Sequence, residues 1–196
     1  MMIIDISQEV LSSKVYPGDP VPLAERLCSI AQGDGYNLSA LSMCNHNGTH
    51  VDAPFHFIEN GKTIDQMHLD AFVGDCYVAW HDGEVCAKDA EAMLTKANAL
   101  GAGERLLIAG NATVTAAAAR VFAQAKLKLI GNESQTVGPE DAPMEVHRIL
   151  LGAEVVLLEG VVLENVSEGK YFLCAAPLNL AGCDGAPCRA LLICGV

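Results

Sequence analysis

Short apolar runs that alternate with Ala- and Leu-rich segments of helical period constrain this fold more than any other feature of the sequence. Residues 105–109, 127–130 and 154–158 are apolar runs of the length and composition of buried strands. Helical periodicity covers residues 87–100, where Gly101 supplies a stop, and residues 144–151. Between them a third helix is expected through Lys126, capped by Asn111 or Thr113. Strands that alternate with helices imply right-handed crossovers and a parallel or mixed sheet. Further strands are expected at 2–6, 37–44 (half-buried, by its alternation), 75–80, 171–180 and 190–196. The expected class is α/β with a substantial β component. No linker of biased composition divides the 196 residues, so 1–196 reads as a single domain.

The chemistry is concentrated in Asn45-His46-Asn47-Gly48-Thr49-His50-Val51-Asp52-Ala53-Pro54-Phe55-His56, which holds three of the six histidines. Imidazole nitrogens and a carboxylate are ligands that divalent transition metals take. In an extended piece His50 and Asp52 share a face. A turn at Asn47-Gly48 would bring His46 across to them. Isolated histidines are usually surface or satisfied polar residues, but this density favours a metal site. His68 reads as a surface or packing residue and His81 as a turn residue. Taken alone, His147 reads as a partly exposed helix residue and Glu159 as a solvated carboxylate at a strand end.

The charge and the cysteines exclude several classes. Lys+Arg total 12 against Asp+Glu 24, and a net charge of −12 disfavours nucleic acid and anionic membrane as partners. The hydrophobic fraction of 51% and mean hydropathy of +0.28 point to a well-buried sheet or a large subunit interface. The N-terminus lacks the pattern of a signal peptide, and no apolar run is long enough to span a bilayer, so a cytoplasmic location is expected. None of the eight cysteines forms a Cys-x2-Cys pair, and reduced core thiols are expected. There is no Gly-x-Ser-x-Gly elbow, phosphate loop or dinucleotide fingerprint. Of the cysteines only Cys44, beside the histidine run, invites a check as a nucleophile, and packing is the favoured role.

The run His46-Asn47-Gly48-Thr49-His50-Val51-Asp52-Ala53-Pro54-Phe55-His56 resembles the signature of the cyclase family of metal-dependent hydrolases, which includes bacterial arylformamidases (kynurenine formamidases) and isatin hydrolases. The resemblance extends to Tyr16-Pro17-Gly18-Asp19-Pro20, to residues 129–139, to His147 and Glu159-Gly160 twelve residues on, and to Gly185-Ala186-Pro187-Cys188-Arg189. Two positions depart from it. Arylformamidases carry Trp where this chain has Tyr16, and Asn132 stands where an acidic residue is common. The resemblance implies a swivelling β/β/α (cyclase-like) fold with a mixed sheet. It implies one or two divalent metals, zinc or manganese, held by His46, His50 and Asp52 and by Asp52, His147 and Glu159. It also implies His56 as the catalytic proton carrier and Tyr16 as a wall of the substrate pocket. The activity implied is hydrolysis of a small amide or formamide, an N-formyl arylamine first, with a place in tryptophan catabolism. A lactam or lactone hydrolase of the isatin type is the alternative, and a non-catalytic metal-binding protein is the reading from another class. A homodimer or homotetramer is expected.

Overall fold

A computed structural model describes residues 1–195. In chain order it has β1 (Met2–Asp5), β2 (Leu23–Cys28), β3 (Leu38–Ser42), β4 (His50–Asp52), β5 (Val73–Trp80), β6 (Gly83–Val85), α1 (Ala87–Ala99), β7 (Arg105–Ala109), β8 (Ala112–Val114), α2 (Ala116–Gln124), β9 (Leu129–Asn132), α3 (Met144–Gly152), β10 (Val156–Glu159), β11 (Gly169–Cys174), β12 (Gly185–Pro187) and β13 (Leu191–Cys194). A nine-stranded mixed sheet runs in the order β1-β13-β11-β5-β7-β9-β10-β4-β12. Its centre, β5-β7-β9-β10, is parallel and its flanks are antiparallel. The expected α/β class with a mixed sheet is what forms.

The period of two along a strand decides where each side chain goes. In β7, Leu106 and Ile108 pack with Ala90, Met93 and Leu94 of α1, Phe122 of α2 and Leu150 of α3. Leu107 and Ala109 of the same strand face a second core, shared with Ile6, Val51, Leu158, Ala186 and Leu192. Ile6 follows one edge strand and Ala186 lies in the other, so the sheet curls around this second core. All three helices lie on the opposite face. No helix among the described residues is long and apolar enough to cross a membrane.

Some expected boundaries shift, each for a physical reason. The second helix does not start at Asn111 or Thr113. Residues 112–114 form β8, which pairs with β6, and the Thr115 side chain caps α2 by accepting from the Ala118 N–H. β11 ends at Cys174 rather than at residue 180, because the chain beyond it leaves the ladder. The last strand ends at Cys194, and Val196 lies outside the described residues. The largest difference concerns residues 37–44. Alternation suggested a half-buried strand, but β3 pairs only with β2, in a ribbon that stands away from both cores and is exposed throughout β3. Leu23, Leu27, Leu38 and Leu41 are therefore solvent-facing.

Candidate metal centre

The three-residue strand β4 positions the centre. It lies antiparallel between β10 and β12, in a register that sets His50 opposite Glu159. Val51 points into the core, so His50 and Asp52 share the other face, as alternation requires. Upstream, Asn47 Oδ1 accepts from the Cys44 N–H at 2.9 Å, and Gly48 takes φ +65°, a left-handed conformation that suits glycine. That turn folds His46 back until its ring centroid lies 5.1 Å from that of His50. Downstream, a single 3-10 turn over Pro54–His56 brings the His56 ring within 4.1 Å of the His46 ring. The face of α3 that meets the sheet contributes His147, and β10 ends in Glu159.

All six residues expected to hold the metal or move protons thus converge. Five of them, with Tyr16, Asp19, Phe57, Gln135, Thr136 and Pro143, line a cavity of about 310 Å³. Asp52 lies directly beneath them, within ion-pair reach of all four histidines. His147 and Glu159 are buried rather than solvated, against what each suggests when read alone. The backbone fixes two imidazole tautomers. His50 Nδ1 donates to Gly48 O and His147 Nδ1 donates to Pro143 O, each at 2.9 Å, so both Nε2 atoms face the centre. His50 Nε2 lies 3.4 Å from Glu159 Oε2 and 3.5 Å from Asp52 Oδ1. His147 Nε2 lies 3.2 Å from Glu159 Oε1 and 3.7 Å from Asp52 Oδ2.

Charge in this pocket is tightly balanced. Burial opposes a charged His46, but Asp52 and Asp184 outweigh it and hold the imidazole up at about 11. Burial likewise opposes protonation of His147, and the Glu159 carboxylate raises it to about 9. Asp52 and Glu159 are both pulled below the usual carboxylate range in spite of burial, by the histidines around them. A cation can take the place of those protons.

Two observations show that these residues fit a divalent metal. Asp52 Oδ2 is fully buried and has no hydrogen-bond donor. Ligand atoms about 2.0–2.1 Å from a tetrahedral ion stand roughly 3.3 Å apart, close to the 3.5 Å and 3.4 Å that separate His50 Nε2 from Asp52 Oδ1 and Glu159 Oε2. The donor atoms close enough to share an ion fall into two groups that meet at Asp52, His46-Asp52-His56 and His50-Asp52-Glu159, which differ from the expected sets in that His56 joins the first and His147 stands in neither.

Sequence reading passed over one residue of the centre. Asp184 Oδ2 accepts from His46 Nε2 at 2.7 Å and from His56 Nδ1 at 3.1 Å, while its Oδ1 accepts from Asn45 Nδ2. An aspartate before glycine reads as turn chemistry, which hid it. Tyr16 lies on the cavity wall and donates its hydroxyl to Glu140 O. Burial raises the Cys44 thiol above its ordinary value, the opposite of an activated nucleophile, and His68 is exposed.

The match to known proteins covers this same region. The family model for Cyclase matches residues 4–139, well over half of the chain and the whole His46–His56 run. The chain belongs to the cyclase family. It is 33% identical to the kynurenine formamidase of Salinibacter ruber, over 98% of this chain and 97% of that protein. A solved structure described as a potential metal-dependent hydrolase with cyclase activity superposes with a TM-score of 0.79 at 27% identity, covering 97% of this chain and 96% of that one. Isatin hydrolase A from Labrenzia aggregata shares the fold, with a TM-score of 0.82 at 20% identity over 99% of this chain and 94% of that one.

Proposed function

We propose that this cyclase-family member is a metal-dependent hydrolase of non-peptide C–N bonds, acting on an N-formyl arylamine of the kynurenine type. The observation that carries the reading is the convergence of His46, His50, His56, His147 and Glu159 on Asp52, whose buried Oδ2 lacks a partner. Full-length likeness to a kynurenine formamidase supports the choice of substrate.

His50 and His147 through Nε2, with Asp52, Glu159 and His46, would hold one or two ions of zinc or manganese. When bound, such an ion acidifies water and polarises the substrate carbonyl. The chain supplies what remains. His56 leans its Nδ1 on Asp184, which leaves Nε2 to take a proton from the attacking water and return it to the departing amine nitrogen. Phe57 and Tyr16 wall the cavity. The acid residues that ring His46 and His56 hold the rings in place through the transfer.

The deciding experiment is elemental analysis of purified protein, followed by N-formylkynurenine hydrolysis on the same sample. Bound zinc or manganese together with deformylation is the expected result. Metal-loaded protein inert towards formamides, lactams and lactones alike would overturn the assignment.

A further inference from the structure

We infer that Asn132 is a positioning residue for Glu159, acting through the peptide group that joins Thr136 to Val137. The inference rests on the metal-dependent reading above and gives a role to a buried amide outside the ligand set. Asn132 ends β9 and Glu159 ends the neighbouring parallel strand β10, one step beyond the pair Gly131–Leu158. The Asn132 side chain is fully buried. Its Nδ2 donates to Ala112 O at 3.1 Å and to Thr136 O at 3.3 Å. Two carbonyls fix the orientation of the amide, because a flipped Asn132 would set oxygen against oxygen at both.

Thr136 O belongs to the same peptide group as the Val137 N–H, and that N–H donates to Glu159 Oε1 at 2.7 Å. One peptide is thus gripped from both sides, its carbonyl by Asn132 and its N–H by the carboxylate. Donation to the carbonyl polarises the group and strengthens what its N–H gives, as in any chain of hydrogen bonds. It also fixes the plane of the peptide, so the N–H stays aimed at Glu159. The neighbouring carbonyls are tied by backbone: Ser134 O accepts from the Gly160 N–H at 2.7 Å and Val137 O from the Val114 N–H at 2.9 Å. The grip sets which carboxylate oxygen meets which histidine. Oε1 lies 3.2 Å from His147 Nε2 and Oε2 lies 3.4 Å from His50 Nε2. A carboxylate free to turn would have to be ordered each time an ion binds, and a hydrogen bond behind a ligand removes that cost.

Asn132→Leu removes both donations and keeps a branched side chain, while Ile130→Val trims the core of the same strand and leaves the grip intact. Each is to be compared with wild type in two ways: zinc affinity by chelator competition, and the Val137 amide proton by NMR of the chelator-stripped protein. For Asn132→Leu the expected result is a loss of about tenfold or more in zinc affinity, together with an upfield move of the Val137 resonance. Ile130→Val should change neither. Asn132→Leu that matches wild type in either readout, or Ile130→Val that shifts both as far, would overturn the inference and leave the hydrolase reading intact. Wild-type protein that takes up neither zinc nor manganese would instead remove the metal reading, and this inference with it. Should Asn132→Leu fail to fold, the wild-type resonance decides: Val137 downfield of the ordinary amide range is expected, and Val137 within that range would overturn the inference.

Discussion

His56 and Asp184 carry the most specific expectations for single side chains. His56→Ala should retain metal by elemental analysis yet lose about 10²–10⁴-fold in kcat, the usual scale for removing a general acid–base group. Metal loss with unchanged activity per bound ion would make His56 a ligand instead. Asp184→Asn keeps the shape but removes the charge that accepts from both His46 and His56. A carboxylate behind a ligating histidine fixes its tautomer and basicity, so chelator competition should show metal affinity weakened by roughly 10–100-fold. The substitution leaves β12 and its pairing with β4 untouched, so thermal stability of the chelator-stripped protein should change far less.

The elements whose own residues set their geometry were legible in the sequence. β7 and α1 follow from apolar periodicity alone, and Thr115→Ala should cost α2 about 1 kcal/mol of stability in denaturant melts without loss of bound metal. What stayed hidden depends on distant partners. β4 is only three residues long and is extended because β10 and β12 flank it, a pairing no local window contains. The ligand-like run was readable from residue types, whereas the burial of His147 and Glu159 and the place of Asp184 arise from packing. The β2–β3 ribbon misled for the same reason in reverse, since its alternation has no core to face. A two-stranded ribbon with exposed leucines is marginal in water and calls for a cover. A homodimer or homotetramer built on this ribbon is the expected assembly. Light scattering should show Leu27→Asp or Leu41→Asp shifting it toward monomer, and a wild-type monomer at micromolar concentration would refute it.

For the molecule as a whole, the charge balance of the centre predicts opposite pH behaviour with and without metal. His46 and His147 are raised from 6.5 to about 11 and about 9 in the folded chain. Their protonation therefore stabilises the chelator-stripped protein fully below pH 6.5, and that contribution drains away as pH rises, through about 9 for His147 and on to about 11 for His46. Metal displaces those protons, so its affinity should climb over the same interval. Thermal melts at pH 6.5 and pH 9 should thus show the stripped protein losing stability and the loaded protein holding it. The long reach of the contacts around β4 also bears on the order of events in folding. The histidine run leaves the ribosome early, while Asp184, its carboxylate partner, follows 138 residues after His46. Closing so large a loop is slow, so the centre should be among the last parts to mature, after the parallel core has condensed. In stopped-flow refolding, capture of the ion should lag behind the burial of Trp80's neighbours in β5 and β7, making the metal a seal on a finished sheet rather than a seed for it.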